Sequence, residues 1–293
     1  MTTQPHSPLP HPLALPDGTV EYVDHGGSGE PILLIHAGAF GAWYEPLATQ
    51  AALNDFRVIR MLRAGYTDAP PPTAPLSIAA HASHSAAVLE HLDAGPAHVV
   101  AHSSGCVIAL QLALDRPELV RSLVLSEPPL IDQLAAPEDL PLLHQILGSV
   151  LATAMGATAA GDIPTAFHAF MSLVCGPDHQ DVLVATIGPN ALARAYRDAG
   201  YFFTGEIPAL AQWQFRPPDA AHIHQPTLLV QGGTSPAPTH HLITRLATTL
   251  PHTDIATIDG DNHLLPLRSP HQLALLITNH AVRTLPTPFI PCT

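Results

Sequence analysis

The 293-residue chain carries 24 acidic residues against 11 arginines and no lysine, which gives a formal net charge of −13. This charge repels nucleic acid and anionic lipid, so a nucleic-acid or membrane partner is not expected. Hydrophobic residues make up 46% of the chain, as in a globular protein, and no apolar run reaches the roughly 18 residues that cross a bilayer.

The first 16 residues are rich in proline and histidine and have no basic region followed by an apolar stretch. A secretory signal is therefore not expected, and the cytoplasm is the predicted compartment. Three scattered cysteines do not form a disulfide framework. The 20 histidines lack companion ligands at metal spacing, so we expect no metal and no cofactor, and a homodimer is left open.

Strand and helix patterns alternate from residue 18 onward. Residues 19–23 alternate like a half-buried strand, and residues 32–35 form a continuous apolar run; we interpret the two as a hairpin that feeds the core. The loop His36-Ala37-Gly38-Ala39-Phe40 follows, and its glycine allows the backbone to approach a ligand closely. A strand at 56–62 and a helix at 78–92 come next.

The segment PAHVVAHSSGCVIALQLA predicts a strand, an abrupt turn and a helix. In a nucleophile elbow the serine lies on a strained turn, and its neighbours must be small. Ala101 and Gly105 flank Ser103 in this way, so Ser103 is the predicted nucleophile, with Gly38 and Ser104 supplying backbone N–H groups to an oxyanion. The alternative is that the serines only cap a helix.

The remaining chain returns to the sheet after a long helical stretch. A strand at 122–125 ends in Glu127. Further strands are predicted at 227–230 and 254–258, and the loop after the second of these carries His263. We therefore divide the chain into an N-terminal Pro/His arm, a core in two segments, a helical cap and a tail: 1–16, 17–127 with 226–284, 128–225, and 285–293.

This order predicts an α/β fold with a doubly wound, mostly parallel sheet whose polar residues lie at the carboxyl ends of strands. The motifs IHAGAFGAW, VVAHSSG, RPELVRSLVLSEP and IDGDNHLLPLRSP resemble those of the α/β-hydrolase fold superfamily over nearly the whole range 18–284. The resemblance implies a serine hydrolase in which His263 is the base that activates Ser103.

The sequence departs from the family at the acid of the triad. Members commonly carry Asp after the strand at 227–230, but this loop reads Gly-Gly-Thr-Ser-Pro over 232–236. The other family location is the end of the strand after the elbow helix, where Glu127 lies, so Glu127 is the predicted acid. Its alternative interpretation is a helix cap or a surface ion-pair partner, and Asp259 and Asp261 are the fallback acids.

The elbow, the strand-end Glu127 and the acid-free later loop are similar, more weakly, to zearalenone-type lactone hydrolases. We therefore expect hydrolysis of a small apolar ester or lactone through an acyl-enzyme. Alternatives are a carbon–carbon bond hydrolase, a cyclase or lyase that reuses the pocket, and a non-hydrolytic small-molecule receptor. The expected pocket residues, which could equally form the core of the cap, are Ala39, Phe40, Tyr201, Phe202 and Trp213.

Overall fold

The computed structural model describes residues 9–135 and 137–284. These residues contain eight strands: β1 (His11–Leu15), β2 (Gly18–Asp24), β3 (Pro31–Ile35), β4 (Arg57–Leu62), β5 (Ala97–His102), β6 (Val120–Ser126), β7 (Thr227–Gly232) and β8 (Thr253–Ile258). They form one sheet in the order β1-β2-β4-β3-β5-β6-β7-β8. β2 pairs antiparallel with β1 and β4, whereas every pairing from β4 to β8 is parallel.

Helices lie between the strands and on both faces of the sheet. They are α1 (Glu45–Ala48), α2 (Ile78–His91), α3 (Ser104–Asp115), α4 (Ile131–Leu134), α5 (Leu140–Ala159), α6 (Ile163–Cys175), α7 (His179–Tyr201), α8 (Ile207–Gln212), α9 (Pro217–Ala220), α10 (Ala237–Thr249), α11 (Leu265–Arg268) and α12 (Pro270–Arg283), with a π-helix at Phe202–Glu206 and short 3₁₀ turns at Gly41–Tyr44, Ala51–Leu53 and Pro117–Leu119.

Burial on both faces explains the continuous apolar runs of the central strands. Leu33 and Ile35 of β3 pack in one cluster with residues of α2 and α3. Their neighbours Ile32 and Leu34 point to the opposite face, where they pack with residues of α1 and α12. The predicted α/β fold with a doubly wound, mostly parallel sheet is therefore confirmed.

The edge of the sheet differs from the expectation. β2 does not form a hairpin with β3, because β4 lies between them. The hairpin is instead β1–β2, which places His11–Leu15 in the sheet, although residues 1–16 were expected to form a Pro/His arm outside the core. Residues 1–8 of that arm and the expected tail 285–293 lie outside the described residues.

Helices α4 to α9 and the π-helix lie between β6 and β7, in the stretch without a strand pattern. We call residues 131–135 and 137–220 the helical insertion. Its longest helix, α7, contains a kink at Gly188, where φ is 78°, directly before Pro189. The π-helix continues α7 and α8 without a break and faces the carboxyl edge of β3, as described below.

Helix α5 is long and apolar enough to cross a membrane by length and composition, although polar residues interrupt its apolar sequence. Only Ala154 of its 20 residues is buried, and Leu142 and Ile146 are among the exposed large apolar side chains. In the structure α5 packs against α6.

Gly105 allows the first turn of α3 to approach the end of β3 closely. A Cβ atom on Gly105 would lie 2.5 Å from the carbonyl oxygen of Ile35 and 2.7 Å from that of His36. We expect Gly105→Ala to lower the free energy of unfolding by about 1–3 kcal/mol, because the backbone must shift to admit the methyl group.

The matched control is Gly148→Ala in α5, where an added Cβ meets no atom within 4 Å. Alanine favours the helix there, so this variant should be about 0.5–1 kcal/mol more stable than the wild type. Urea unfolding of both variants measures the difference. Equal stability of Gly105→Ala and the wild type would contradict the close approach.

Candidate active site

Ser103 lies in the sharp turn between β5 and α3. Its backbone adopts φ 49° and ψ −123°, a conformation that a non-glycine residue takes only under strain. The Ser103 side chain makes no capping hydrogen bond to the backbone of α3. The interpretation of this serine as a helix cap therefore does not hold. The turn instead leaves its side chain partly exposed at the carboxyl end of the sheet.

The carbonyl oxygen of Ser126, at the end of β6, holds the turn in place. It accepts a hydrogen bond from the Ser103 N–H at 2.8 Å. His102 Nδ1 lies 3.2 Å from the same oxygen, and the Cys106 thiol donates to it at 3.4 Å. The turn after β5 is therefore fastened to the strand that leads into Glu127.

The loop after β3 lies beside this turn, because Ile35 of β3 pairs with Ala101 of β5. Gly38 belongs to this loop, and its carbonyl oxygen accepts a hydrogen bond from Trp43 Nε1 at 2.8 Å. A Cβ atom on Gly38 would lie 2.3 Å from a ring carbon of Phe202, so a larger residue would force that ring to move. Ser104 is the first residue of α3, where backbone N–H groups have no partner within the helix.

Glu127 directly follows β6 and also has a positive φ, 49°. Its carboxylate is buried. Oε2 lies 2.7 Å from Nδ1 of His263. Oε1 accepts hydrogen bonds from the Gly232 N–H at 2.9 Å and from the Ser235 hydroxyl. Glu127 is thus neither a helix cap nor a surface ion-pair partner.

These contacts determine the ionisation of Glu127. Burial raises the pKa of its carboxyl, but the hydrogen bond and the charge of His263, together with the donors Ser235 and Gly232, outweigh burial and lower the pKa to about 2. Glu127 therefore carries a negative charge at neutral pH, next to the imidazole ring of His263.

The two fallback acids, Asp259 and Asp261, do not replace Glu127 as the partner of His263. Asp259 is exposed, and the buried Asp261 accepts the backbone N–H of Asn262 at 2.9 Å through Oδ1. The loop at 232–236 lacks an acid, as noted from the sequence, and contributes two hydrogen-bond donors to Glu127 instead.

Sequence reasoning missed two aromatic neighbours of His263. The His102 ring lies 4.5 Å from the His263 ring, and the Trp43 ring lies 4.9 Å from His102 and 6.2 Å from His263, edge-on to both. Burial and the neighbouring His263 hold the pKa of His102 well below its ordinary range, so His102 is neutral. Trp43 lies in the motif IHAGAFGAW and His102 in VVAHSSG, so these motifs could have pointed to both residues.

The expected pocket residues separate into two groups. Ala39, Phe40, Tyr201 and Phe202 are buried in one apolar cluster that joins the loop after β3 to the helical insertion. Trp213 is not brought to this cluster: it stacks on Phe215 at 5.3 Å and donates to Gln111 of α3. Within residues 9–135 and 137–284, no set of three His, Cys, Asp or Glu side chains could hold a metal ion.

Known proteins match the chain in part by sequence and over nearly its whole length by structure. It is 32% identical over 114 residues to the dihydrolipoyllysine-residue acetyltransferase component of the acetoin cleaving system of Cupriavidus necator; these residues are 37% of this chain and 29% of that protein. The chain thus spans less than a third of this relative's length.

Two solved structures share the fold at low sequence identity. A carboxylesterase from Bacillus subtilis superposes with a TM-score of 0.71 at 19% identity, over 94% of this chain and 92% of that one. An enol-lactonase from Burkholderia xenovorans gives 0.70 at 16% identity, over 93% and 100%. The profile of the α/β hydrolase fold family matches residues 30–268. The chain therefore belongs to the α/β hydrolase fold family.

Proposed function

We propose that this protein is a serine hydrolase that cleaves a carboxylic ester or lactone through an acyl-enzyme. The observation that carries the proposal is the 2.7 Å contact between Glu127 and Nδ1 of His263, at the same sheet edge as the strained turn of Ser103. A buried carboxylate that orients a histidine next to a serine elbow is the arrangement that activates a hydroxyl nucleophile.

In this mechanism the Ser103 hydroxyl attacks the ester carbonyl while His263 takes its proton. The resulting imidazolium gives that proton to the departing alcohol, and the acyl group stays on Ser103. Water then attacks the acyl-enzyme with His263 again as the base. The bond between the acyl group and Ser103 breaks, the Ser103 oxygen takes the proton back from His263, and the acid product leaves. Glu127, ionised because its pKa is about 2, stabilises the imidazolium in both halves of the reaction.

The N–H groups of Gly38 and Ser104 hold the oxyanion in this proposal. Two features support it: the loops after β3 and β5 begin side by side, and the positive end of the α3 dipole lies at Ser104. The hydrogen bond from Trp43 to the Gly38 carbonyl fixes the orientation of the adjoining peptide.

The helical insertion acts as a cap that selects the substrate. Phe202 lies on Gly38, and Phe40 stacks on Trp43 at 4.4 Å, so an acyl group would meet an apolar, aromatic wall. Such a wall favours an uncharged ester or lactone, in keeping with the carboxylesterase and enol-lactonase activities named for the two structural relatives.

The first test is Ser103→Ala with 4-nitrophenyl acetate as substrate. The variant should lose turnover and keep its melting temperature, because a nucleophile contributes to the barrier and little to packing. A fluorophosphonate probe should label the wild type at Ser103 and leave the variant unlabelled. An unlabelled, well-folded wild type would instead favour the receptor or the cyclase and lyase alternatives.

The second test concerns the acid. Glu127→Gln keeps the size of the side chain but removes the charge that stabilises the imidazolium, so we expect kcat to fall by roughly 10⁴. Asp261→Asn is the matched control, since Asp261 is a buried acid only two residues before His263. It should stay within about threefold of the wild type. The reverse order of the two effects would assign the acid to Asp261.

The third test uses stability as a function of pH. The folded-state pKa of Glu127, about 2, lies below the ordinary 4.5, so its ionised form contributes stability that is fully present above about pH 4.5 and is lost as the pH falls through 2. Between pH 6 and pH 3 the wild type should lose about 2 kcal/mol more unfolding free energy than Glu127→Gln. Urea titrations at both pH values measure this difference, and parallel losses would contradict the lowered pKa of Glu127.

A further inference from the structure

A buried ion pair outside the candidate active site joins the core to the helical insertion. Arg63 follows β4 and Glu206 ends the π-helix, 143 residues later. The side chains of both are fully buried, and Arg63 Nη2 lies 3.1 Å from Glu206 Oε2 and 3.2 Å from Oε1. The Tyr66 hydroxyl also donates to Oε2, and the Arg63 guanidinium lies 4.7 Å from the centre of the Tyr66 ring.

The ion pair satisfies only some of the hydrogen-bond donors of Arg63. Among residues 9–135 and 137–284, Nε and Nη1 of Arg63 have no hydrogen-bond partner. Glu206 is therefore the acceptor that balances a charge which is costly to bury. The proposed mechanism assigns no role to Arg63 or Glu206. A role for this ion pair therefore has to be inferred from its position in the molecule.

That position is next to the proposed oxyanion donor. Oε1 of Glu206 lies 3.2 Å from the place of a Cβ on Gly38, and Phe202, four residues earlier in the π-helix, touches the same place. On the core side, the Arg63 N–H donates to His36 Nε2 at 3.2 Å, two residues before Gly38. The acidic member of the pair thus touches the loop against which the acyl group would lie.

We propose that Glu206 is a specificity-determining residue: its carboxylate occupies a carboxylate-binding site on Arg63 and so restricts the enzyme to uncharged acyl groups. The inference rests on the proposed ester hydrolysis. An acyl chain that carries its own carboxylate would meet the negative end of the pair, and Arg63, the group that could bind it, is already occupied. Removal of the Glu206 charge leaves the charge of Arg63 unbalanced, so that it can attract a substrate carboxylate.

The physical basis is charge compensation in a site without solvent. Glu206→Gln keeps the shape of the side chain and an oxygen for the Tyr66 hydroxyl, but it leaves the positive charge of Arg63 unbalanced. Water screens buried charges poorly, so a substrate carboxylate several ångströms away would be attracted to this charge strongly enough to change the rate at least tenfold, by an order-of-magnitude Coulomb argument.

The test compares two esters with one leaving group: mono-4-nitrophenyl adipate, which is anionic, and its neutral methyl ester. The ratio of kcat/KM for the anionic ester to that for the neutral ester cancels general losses of activity. We expect this ratio to rise about tenfold or more in Glu206→Gln. The matched control, Asp198→Asn, removes another buried acid of the insertion that bonds the same loop at the Gly41 N–H, and it should leave the ratio unchanged.

A second measurement does not depend on activity. Glu206→Ala removes the carboxylate altogether, and 100 mM acetate should raise its melting temperature by about 3 °C over 100 mM chloride by pairing with Arg63. The wild type and the double variant Arg63→Met/Glu206→Ala should show no such difference between the two salts.

The outcomes separate the two proposals. An unchanged ester ratio in a Glu206→Gln variant that still hydrolyses the neutral ester overturns the role of Glu206 and leaves ester hydrolysis standing. A wild type that hydrolyses neither ester overturns the proposed function, and the acetate experiment then decides the Arg63 site by itself. Equal melting temperatures of Glu206→Ala in acetate and chloride overturn that site.

Discussion

The candidate site depends on the hydrogen bonds of the buried Glu127 carboxylate. Oε2 bonds to His263, which follows β8, and Oε1 bonds to Gly232, the last residue of β7, and to Ser235 in the loop after it. Glu127 itself follows β6, so one buried charge ties together the ends of three neighbouring strands. A buried carboxylate is stable only when such donors surround it, and the carboxylate that they hold in place here also orients the histidine. The loop at 232–236, which lacks an acid, therefore supplies the hydrogen bonds that hold Glu127 in place.

Two strained residues at adjacent strand ends make this possible. Ser103 and Glu127 both have a φ of 49°, and each follows a strand in the same parallel pair, β5 and β6. The Ser103 N–H bonds to Ser126, and the Glu127 N–H bonds to Val230 of β7, so each strained turn is held by the next strand of the sheet. Backbone strain of this kind persists only where the surrounding contacts enforce it.

The sequence was informative where the signal was local and failed where the pairing was distant. Small residues around Ser103 predicted the elbow turn. The place of Glu127 at the end of a predicted strand made it the candidate acid, because the loop at 232–236 contains none. The β2–β3 hairpin was wrong because β4, more than twenty residues later, inserts between the two strands, and no local pattern encodes that choice. The same limit hid the contact of Arg63 with Glu206, because a buried ion pair leaves no periodicity in either segment.

The contacts of the helical insertion bear on how substrate selection and catalysis are related. Three of its residues reach the loops of the site from different helices: Asp198 bonds the Gly41 N–H, Phe202 covers Gly38, and the Cys175 carbonyl accepts from Asn262, next to His263. An insertion that only covered a pocket could move without disturbing these loops. Here any displacement of α7 or the π-helix also alters the packing around Gly38, so the elements that would recognise the acyl group also hold the proposed oxyanion donor in position.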